Sequence, residues 1–283
     1  MLEIFYEVQQ WFWILFVSIL GVIIGSFLNV VIYRLHTNKS LSGRSHCLSC
    51  GATLKPYDLI PVVSYLWLRG RCRVCGCSFS PRYVLVEAMT GALFVLGFLF
   101  SGSLTDFLIF CLVTIVLVVI AVYDYYHLII PDKLVMWLLG IATFWLLYQF
   151  FSTELALSEI AYILLAALLA AGFFAGLWIV SKGRWIGLGD AKLVFPLCLL
   201  LSYKIVFSFV VVSFWIGAVV SLLLLGILWV KKKRGKPHLR FSKDSLTIKS
   251  EIPFAPFIIV SFFIVYLFGV NVLDITAQFL LTL

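Results

Sequence analysis

Long runs of apolar residues, which recur along almost the whole chain, constrain its fold more than any other feature. A helix of about 17 to 25 apolar residues crosses a hydrocarbon layer of about 30 Å with its backbone hydrogen bonds made internally. Eight such runs occur, at roughly residues 11–33, 84–101, 107–123, 134–151, 160–180, 191–203, 205–230 and 254–273. Because 63% of the residues are apolar and only 12% are charged, we predict an all-α polytopic membrane protein of about eight transmembrane helices.

The sixth run is shorter than the others and contains Pro196. Its roughly 13 residues extend only about 20 Å as a helix, and we expect the proline to interrupt it. The run therefore forms a partial span, or its ends are sunk into the membrane. The first run follows a segment without Lys or Arg and is longer than the core of a signal peptide, so we expect it to be retained.

The basic residues are distributed unevenly between the two sides of this helix set. With the N-terminus outside, almost all of the 21 Lys and Arg residues fall in inner segments, and Lys204 is the exception. The positive-inside rule then places both termini outside and the large polar loop in the cytoplasm. The net charge of +8 therefore comes from basic residues at the cytoplasmic face, where they can attract anionic membrane lipid. No nucleic-acid partner is needed to account for it.

The polar loop between the first two runs contains the sequences "CLSCG" and "CRVCG". Its four cysteines have a C-x2-C-x21-C-x2-C spacing, which suits a tetrahedral zinc site, and a glycine after each pair allows the turn. These are Cys47, Cys50, Cys72 and Cys75. Two disulfides are the alternative, although they require an oxidising compartment. Four cysteines close the coordination shell, so we predict a structural zinc-knuckle loop in which Cys77 has no place.

Two acidic residues, Asp124 and Asp190, lie near the inner membrane boundary by this topology. If they meet, the two carboxyls share a proton, so that one acts as a base on water while the other donates to a carbonyl. Gly187 and Gly189 are expected to permit irregular backbone beside Asp190, lining a wet cavity. Capping or interfacial roles for these acids remain alternatives, as does proton or ion transport.

Several ordered motifs resemble those of the bacterial prepilin leader peptidases, which are intramembrane aspartyl proteases of the G-x-G-D class. "GSFLNVVIYRL" resembles the first-span signature of that family, and Cys47–Glu87 resembles its zinc-knuckle loop. "YDYYHLIIPDKL" is similar to its D-x6-[LI]-P-D segment, and "GLGD" to its namesake motif. "IPFAPF", at 252–257, is similar to its last-helix P-F-G-P element, with Ala255 where many relatives have glycine.

The resemblance implies that Asp124 and Asp190 are the catalytic pair and that Asp132 supports them. It implies precursors of type IV pilins or pseudopilins as substrates, cut at the cytoplasmic face of the bacterial inner membrane after a short basic leader. It also implies that the new N-terminus is methylated with S-adenosylmethionine by the large loop. Tyr126 departs from the pattern, because relatives often have a polar or acidic residue there.

Two residues of the loop are candidates for binding S-adenosylmethionine. Gly70 lies between two arginines beside the second cysteine pair, and its turn would let the backbone approach the cofactor. Glu87 lies at the membrane edge and would face a cationic group, either the sulfonium or the new amine. A turn glycine and an interfacial acid paired with a nearby arginine are the structural alternatives.

The sequence thus predicts three functional segments. Residues 1–33 form the first transmembrane helix, residues 34–83 form the cytoplasmic zinc-binding loop with the methyltransferase region, and residues 84–283 form the transmembrane aspartyl protease core. A peptidase without methyltransferase activity, a proton-coupled transporter and a zinc-stapled membrane scaffold are the alternative functions. The oligomeric state is not predicted.

Overall fold

The computed structural model describes residues 2–37, 40, 43–152, 155–233 and 253–274. Within these ranges the chain is helical and has no strand, with two isolated bridges in the loop. The helices are α1 (Leu2–Thr37), α2 (Val63–Trp67), α3 (Arg82–Phe100), α4 (Leu104–His127), α5 (Asp132–Ser152), α6 (Leu157–Ser181), α7 (Leu188–Leu199), α8 (Tyr203–Lys233) and α9 (Ala255–Phe268). The basic cluster at 234–249 lies outside the described residues.

Six of the described helices, α1, α3, α4, α5, α6 and α8, are long and apolar enough to cross a membrane. The helices α7, with 12 residues, and α9, with 14, are shorter. All eight predicted apolar runs therefore form helices, and the all-α membrane fold is confirmed. The 12 residues of α7 extend only about 18 Å, which is shorter than a hydrocarbon layer of about 30 Å.

The chain forms two compact units, Met1–Val122 and Tyr123–Leu283. In the first unit, α1 packs closely against α3 because glycines line the contact. A Cβ atom added to Gly21 would lie 2.9 Å from the Cα atom of Gly91, and one added to Gly25 would lie 2.8 Å from the Cα atom of Glu87. Small residues are the usual means by which membrane helices approach each other this closely. The division of the chain into the three functional segments stays a prediction.

In the second unit, α7 is a buried central helix that contacts α5, α6 and α9. Its residues Leu193, Val194 and Leu197 have no exposed surface. Pro196 lies inside α7 and does not end it, so the prediction that the proline interrupts this run was wrong. The packing of α7 on its neighbours holds the helix together despite the one backbone donor that proline removes.

Candidate functional site

Asp190 lies at the third position of α7, in the second unit, and is 6% exposed. Its Oδ2 atom accepts a hydrogen bond of 3.1 Å from the backbone N–H of Gly187. Part of its role is therefore to cap the helix, which is the alternative considered from the sequence. Asp124 lies close enough for its charge to act on the Asp190 carboxylate, so the two predicted acids are neighbours within the second unit.

Asp124 lies three residues before the end of α4 and is 5% exposed. Its carboxylate accepts a hydrogen bond from the backbone N–H of Ala255, at the start of α9. Among the described residues the Oδ2 atom of Asp124 is buried without a hydrogen-bond partner. Because Ala255 acts through its backbone, the glycine found in relatives is not needed for this contact. The Oδ2 atom of Asp124 can therefore carry a proton without losing a hydrogen bond to the described part of the protein.

The two predicted supporting glycines act differently from our expectation. Gly187 has φ −75° and ψ 150°, an extended conformation that any residue can adopt. Gly189 lies inside α7, and a Cβ atom added to it would lie 3.1 Å from the Cβ atom of Ile130. Gly189 therefore permits the close approach of α7 to the segment before Pro131, rather than irregular backbone.

Asp132, the third predicted acid, begins α5 and does not join the buried pair. Its side chain is 72% exposed, and its Oδ1 atom lies 2.7 Å from the Nζ atom of Lys192. Lys192 is two residues after Asp190, so this ion pair links the start of α5 to the first turns of α7. Tyr126, which differs from the polar or acidic residue of many relatives, lies at the surface. Its ring packs edge-on against that of Tyr125.

The four predicted zinc ligands lie together in the first unit. The Sγ atoms of Cys47, Cys50, Cys72 and Cys75 are all within 4.8 Å of one another. Zinc–sulfur bonds of about 2.3 Å place tetrahedral ligands at such separations, so the residues fit a zinc ion. A zinc ion bound here would cross-link two segments of a loop that has little core of its own.

The two cysteine pairs have the same local structure. The N–H of Gly51 donates to the carbonyl of Cys47, and the N–H of Gly76 donates to the carbonyl of Cys72, both at 2.9 Å. The two glycines have φ values of +72° and +68°, a conformation that side chains rarely adopt. Each pair thus forms a knuckle turned by its following glycine, as predicted.

The knuckles also favour the thiolate forms that metal binding requires. Backbone hydrogen bonds from Cys50 and then Ser49 lower the pKa of Cys47 to about 6, and those from Cys75 and Val74 lower the pKa of Cys72. These hydrogen bonds stabilise the charged form of the sulfur.

A fifth thiol, that of Cys77, lies beside the cluster. Its Sγ atom is 3.4 Å from that of Cys47 and 3.1 Å from that of Cys75. It does not belong to the group of four in which every pair of ligand atoms is within 4.8 Å. It therefore lies at one edge of the predicted coordination shell.

A cavity of about 670 Å³ lies in the first unit beside the zinc knuckles. We call it the loop chamber; its walls come from α1, the loop and the start of α3. They include Ser26, Asn29, Tyr33, Arg34, Cys47, Tyr65, Cys77, Phe79, Tyr83 and Glu87. The chamber has the size typical of a small-molecule site.

Glu87 lines this chamber and is 8% exposed. Its Oε2 atom accepts a hydrogen bond of 2.7 Å from the backbone N–H of Val62, and its carboxylate also bonds the Ser26 side chain. The alternative of an acid paired with a nearby arginine does not hold, because no ion pair with Glu87 occurs in the described part of the chain.

Gly70 does not line the chamber, but it supports a residue that does. Its φ is +66°, and a Cβ atom would lie 2.8 Å from the Cζ and Oη atoms of Tyr65. The Tyr65 hydroxyl donates to the carbonyl of Phe79 at 3.4 Å, and both residues form chamber wall. Gly70 thus makes room for a tyrosine ring, rather than bringing backbone to a ligand.

Two chamber residues, Ser26 and Asn29, were not assigned from the sequence. Ser26 contacts Glu87, and the Nδ2 atom of Asn29 donates to the carbonyl of Tyr83 at 3.0 Å. Both belong to the "GSFLN" motif, which was noted only as a signature. Two polar residues at positions i and i+3 of an apolar run share one helix face, and this was the signal available.

The chain matches two family models. Residues 19–100 match the "Bacterial Peptidase A24 N-terminal domain", and residues 111–222 match the "Type IV leader peptidase family". The first segment contains the knuckles and Glu87, and the second contains Asp124 and Asp190. No solved structure shows a significant match.

Curated relatives from three bacteria span both segments, and each is named "Prepilin leader peptidase/N-methyltransferase". The protein of Myxococcus xanthus (strain DK1622) is 34% identical over 74% of this chain and 62% of its own length. That of Dichelobacter nodosus is 28% identical over 92% and 93%, and that of Aeromonas hydrophila is 30% identical over 92% of each chain. The chain therefore belongs to the type IV leader peptidase family.

Proposed function

We propose that this protein is an intramembrane aspartyl endopeptidase of the bacterial inner membrane. It cleaves the basic leader of type IV prepilins or pseudopilins at the cytoplasmic face and then methylates the new N-terminus. The observation that carries the peptidase activity is the burial of Asp124 and Asp190 (5% and 6% exposed), which lie close enough for the charge of one to act on the other. Both termini lie outside and the zinc loop lies in the cytoplasm.

The two carboxyls divide the work of hydrolysis between them. Two facing carboxyls share one proton, so one accepts a proton from water while the other donates to the scissile carbonyl oxygen. The water oxygen bonds to the carbonyl carbon, the C–N bond then breaks, and the amine nitrogen leaves with a proton. Ala255 and Gly187 orient the pair through their backbone N–H groups.

A structural zinc ion held by Cys47, Cys50, Cys72 and Cys75 is the second part of the proposal. When bound, zinc supplies a cross-link and no reacting water, because four thiolates fill its shell. The knuckle hydrogen bonds lower the pKa values of Cys47 and Cys72, which favours the thiolate form of these two ligands. The loop residues then have fixed positions relative to each other.

The third part is S-adenosylmethionine binding by the loop, near Glu87 and Gly70. When bound, this cofactor supplies an electrophilic methyl group. The volume of the loop chamber and its buried carboxylate suit an organic cation of that size. In this proposal Glu87 holds a cationic group, and the open space beside Gly70 that accommodates the Tyr65 ring supports the shape of the wall.

One experiment tests the peptidase and separates it from the alternatives. The purified protein is incubated with a prepilin and S-adenosylmethionine, and the product mass is read. Asp124→Asn and Asp190→Asn should each reduce cleavage at least 10²-fold, since Asn cannot carry the shared proton. The half-buried acid Asp106, in the first turn of the same helix α4, is the matched control, and Asp106→Asn should cleave normally.

The losses from the two active-site variants should not add, because the residues act as a unit. Normal processing by either single variant would remove the pair from the mechanism. A proton-coupled transporter or a zinc-stapled scaffold would show no cleavage by the wild-type protein. Cleaved product without added methyl mass would leave a peptidase only.

A further inference from the structure

We infer that the short helix α2 docks on the surface of an anionic phospholipid bilayer. The docking surface, which we call the α2 outer face, consists of Ile60, in the turn before the helix, and of Val63, Leu66 and Trp67. Docking holds the loop between α1 and α3 against the membrane that these two helices cross. The inference does not depend on the peptidase or methyltransferase activity proposed above.

The first observation is that the α2 segment has two different sides. Residues spaced at i, i+3, i+6 and i+7 share one side of a helix, and the α2 outer face has this spacing from Ile60 onward. The exposed fractions of its four side chains are 47%, 57%, 67% and 80% in chain order. The other side of the segment lines the loop chamber with Pro61, Ser64, Tyr65 and Leu68. The large apolar side chains are therefore turned away from the chamber, and a continuous exposed apolar surface of this kind marks an interaction site.

The second observation is a hydrogen bond that fixes the level of this segment along α3. The backbone N–H of Val62 donates to the Oε2 atom of Glu87 at 2.7 Å. Glu87 is the sixth residue of α3, about 7.5 Å from its start, and α3 is long and apolar enough to cross a membrane. Because helical side chains lean toward the N-terminus of their helix, this bond forms beside the first turns of α3. The α2 segment therefore lies level with the membrane boundary.

The loop chamber gives the same level from the side of α1. Its walls include Ile23 and Phe27, which belong to the membrane-crossing segment Gln9–Leu35 of α1. The same cavity is bordered by Pro61 and Leu68 of the α2 segment. The α2 segment and a part of α1 that lies within the membrane are thus walls of one cavity.

The third observation is the charge that directly follows the α2 outer face. Arg69 and Arg71 are exposed, and neither forms an ion pair within the part of the chain that the structure describes. Tryptophan is enriched at the boundary between membrane and water, and basic side chains beside it attract anionic headgroups. Arg69 is two residues after Trp67, so an apolar ring and a guanidinium group can reach adjoining layers of the same bilayer.

Charge also favours lipid over a second copy of this chain as the occupant of the face. Residues 34–83 contain eight Lys and Arg residues but a single acidic residue, Asp58. Asp58 already pairs with Arg73 at 2.8 Å. Two copies that met through this loop would bring like charges together, which is unfavourable. An anionic bilayer supplies the opposite charge and the apolar layer at once.

The test detects lipid contact with a photoreactive amino acid in the full-length protein. Benzoylphenylalanine replaces Trp67, and the protein is placed in nanodiscs of phosphatidylcholine and phosphatidylglycerol in equal amounts. After irradiation, mass spectrometry of the peptide that contains residue 67 shows whether it has gained the mass of a phospholipid. The matched control has the same amino acid in place of Val74, which is 72% exposed in the second knuckle and outside the α2 outer face.

We expect lipid adducts at position 67 and none above the unirradiated background at position 74. Equal yields at the two positions would mean that the loop meets lipid without a defined face and would overturn the inference. A cross-linked product with twice the mass of the chain would assign the face to a second copy instead. The absence of any lipid adduct at position 67 would likewise refute docking.

A second position keeps the test decisive if the first variant has a lowered melting temperature. Benzoylphenylalanine in place of Leu66, which is 67% exposed, should also form lipid adducts. Their absence in a folded protein would exclude the α2 outer face as a lipid contact. None of these results depends on cleavage or methylation, so failure here leaves the proposed function standing.

The headgroups of the adducts test the two arginines. Phosphatidylglycerol adducts at position 67 should exceed phosphatidylcholine adducts by about fivefold for each arginine that contacts a headgroup. Arg69→Gln combined with Arg71→Gln should return this ratio to about one. Arg73→Gln is the matched control, because Arg73 is paired with Asp58, and it should leave the ratio unchanged. Equal adducts of the two lipids in the wild type, or an unchanged ratio in the double variant, would overturn the assignment to anionic lipid.

Discussion

Gly70→Ala should impair methylation while leaving cleavage intact, because the added Cβ atom displaces Tyr65. The Cβ atom would lie 2.8 Å from the Cζ and Oη atoms of the ring. These atoms are the far end of a side chain, so the ring moves rather than the backbone. Tyr65 forms part of the wall of the loop chamber, and its movement alters the space available to the ligand.

The size of the effect follows from two contributions. Alanine at φ +66° costs about 1 to 2 kcal/mol, since left-handed backbone is unfavourable for L-residues. Loss of the hydrogen bond from the Tyr65 hydroxyl to Phe79 costs about 1 kcal/mol. The total of about 2 to 3 kcal/mol reduces the population of the competent loop by roughly 25-fold to 150-fold.

Gly76→Ala is the matched control for this experiment. Gly76 has φ +68°, and nothing lies within 4 Å of its added Cβ atom. It therefore carries the same backbone strain without the contact with Tyr65. The difference in methylation between Gly70→Ala and Gly76→Ala isolates the effect of the ring.

The assay measures the methylated fraction of the cleaved product by mass spectrometry at limiting S-adenosylmethionine. A double variant with Tyr65→Ala completes a mutant cycle, in which Gly70→Ala should now cost only the backbone strain. Equal defects in Gly70→Ala and Gly76→Ala would refute the role of the ring. Full methylation by Gly70→Ala would place the cofactor elsewhere.

Three further predictions concern the metal, the α7 contact and the exposed acid. Serine at Cys47, Cys50, Cys72 or Cys75 should weaken binding of the one zinc expected per chain, measured by elemental analysis, whereas Cys77→Ser should retain it; the opposite pattern would change the ligand set. Gly189→Ala should lower cleavage about tenfold, because its Cβ atom would lie 3.1 Å from that of Ile130. Gly172→Ala, with open space around it, should have no effect; equal activity of the two would exclude the contact. Asp132→Asn should lower cleavage less than about tenfold, because exposed ion pairs contribute about 0 to 1 kcal/mol; complete loss would place Asp132 in the mechanism.

Features that depend on neighbouring residues in sequence could be predicted. The helices could be predicted at the eight apolar runs because the length and composition of a run indicate a helix without knowledge of its neighbours in space. The two knuckles could also be predicted, since Gly51 and Gly76 follow their cysteine pairs directly and adopt the left-handed conformation that such turns need.

Features that depend on the detailed packing of individual side chains and backbone segments could not be predicted. Gly70 was assigned to a ligand contact, yet the nearby atoms belong to Tyr65. Glu87 contacts Val62, 25 residues away, and no sequence pattern gives the unusual φ of Val62. Pro196 was expected to interrupt a helix, but tertiary packing around α7 outweighs the local penalty.

The capping and catalytic interpretations of Asp190, which were alternatives in the sequence, are compatible in the structure. The cap bond from Gly187 uses the Oδ2 atom and fixes the orientation of the carboxyl. A carboxyl that is already oriented loses less side-chain entropy when it takes part in proton transfer. The same holds for Asp124, where the Ala255 N–H binds the carboxylate while Oδ2 has no protein partner in the described residues. Backbone donors thus orient both carboxyls in advance, which is the condition that proton transfer from a positioned side chain requires.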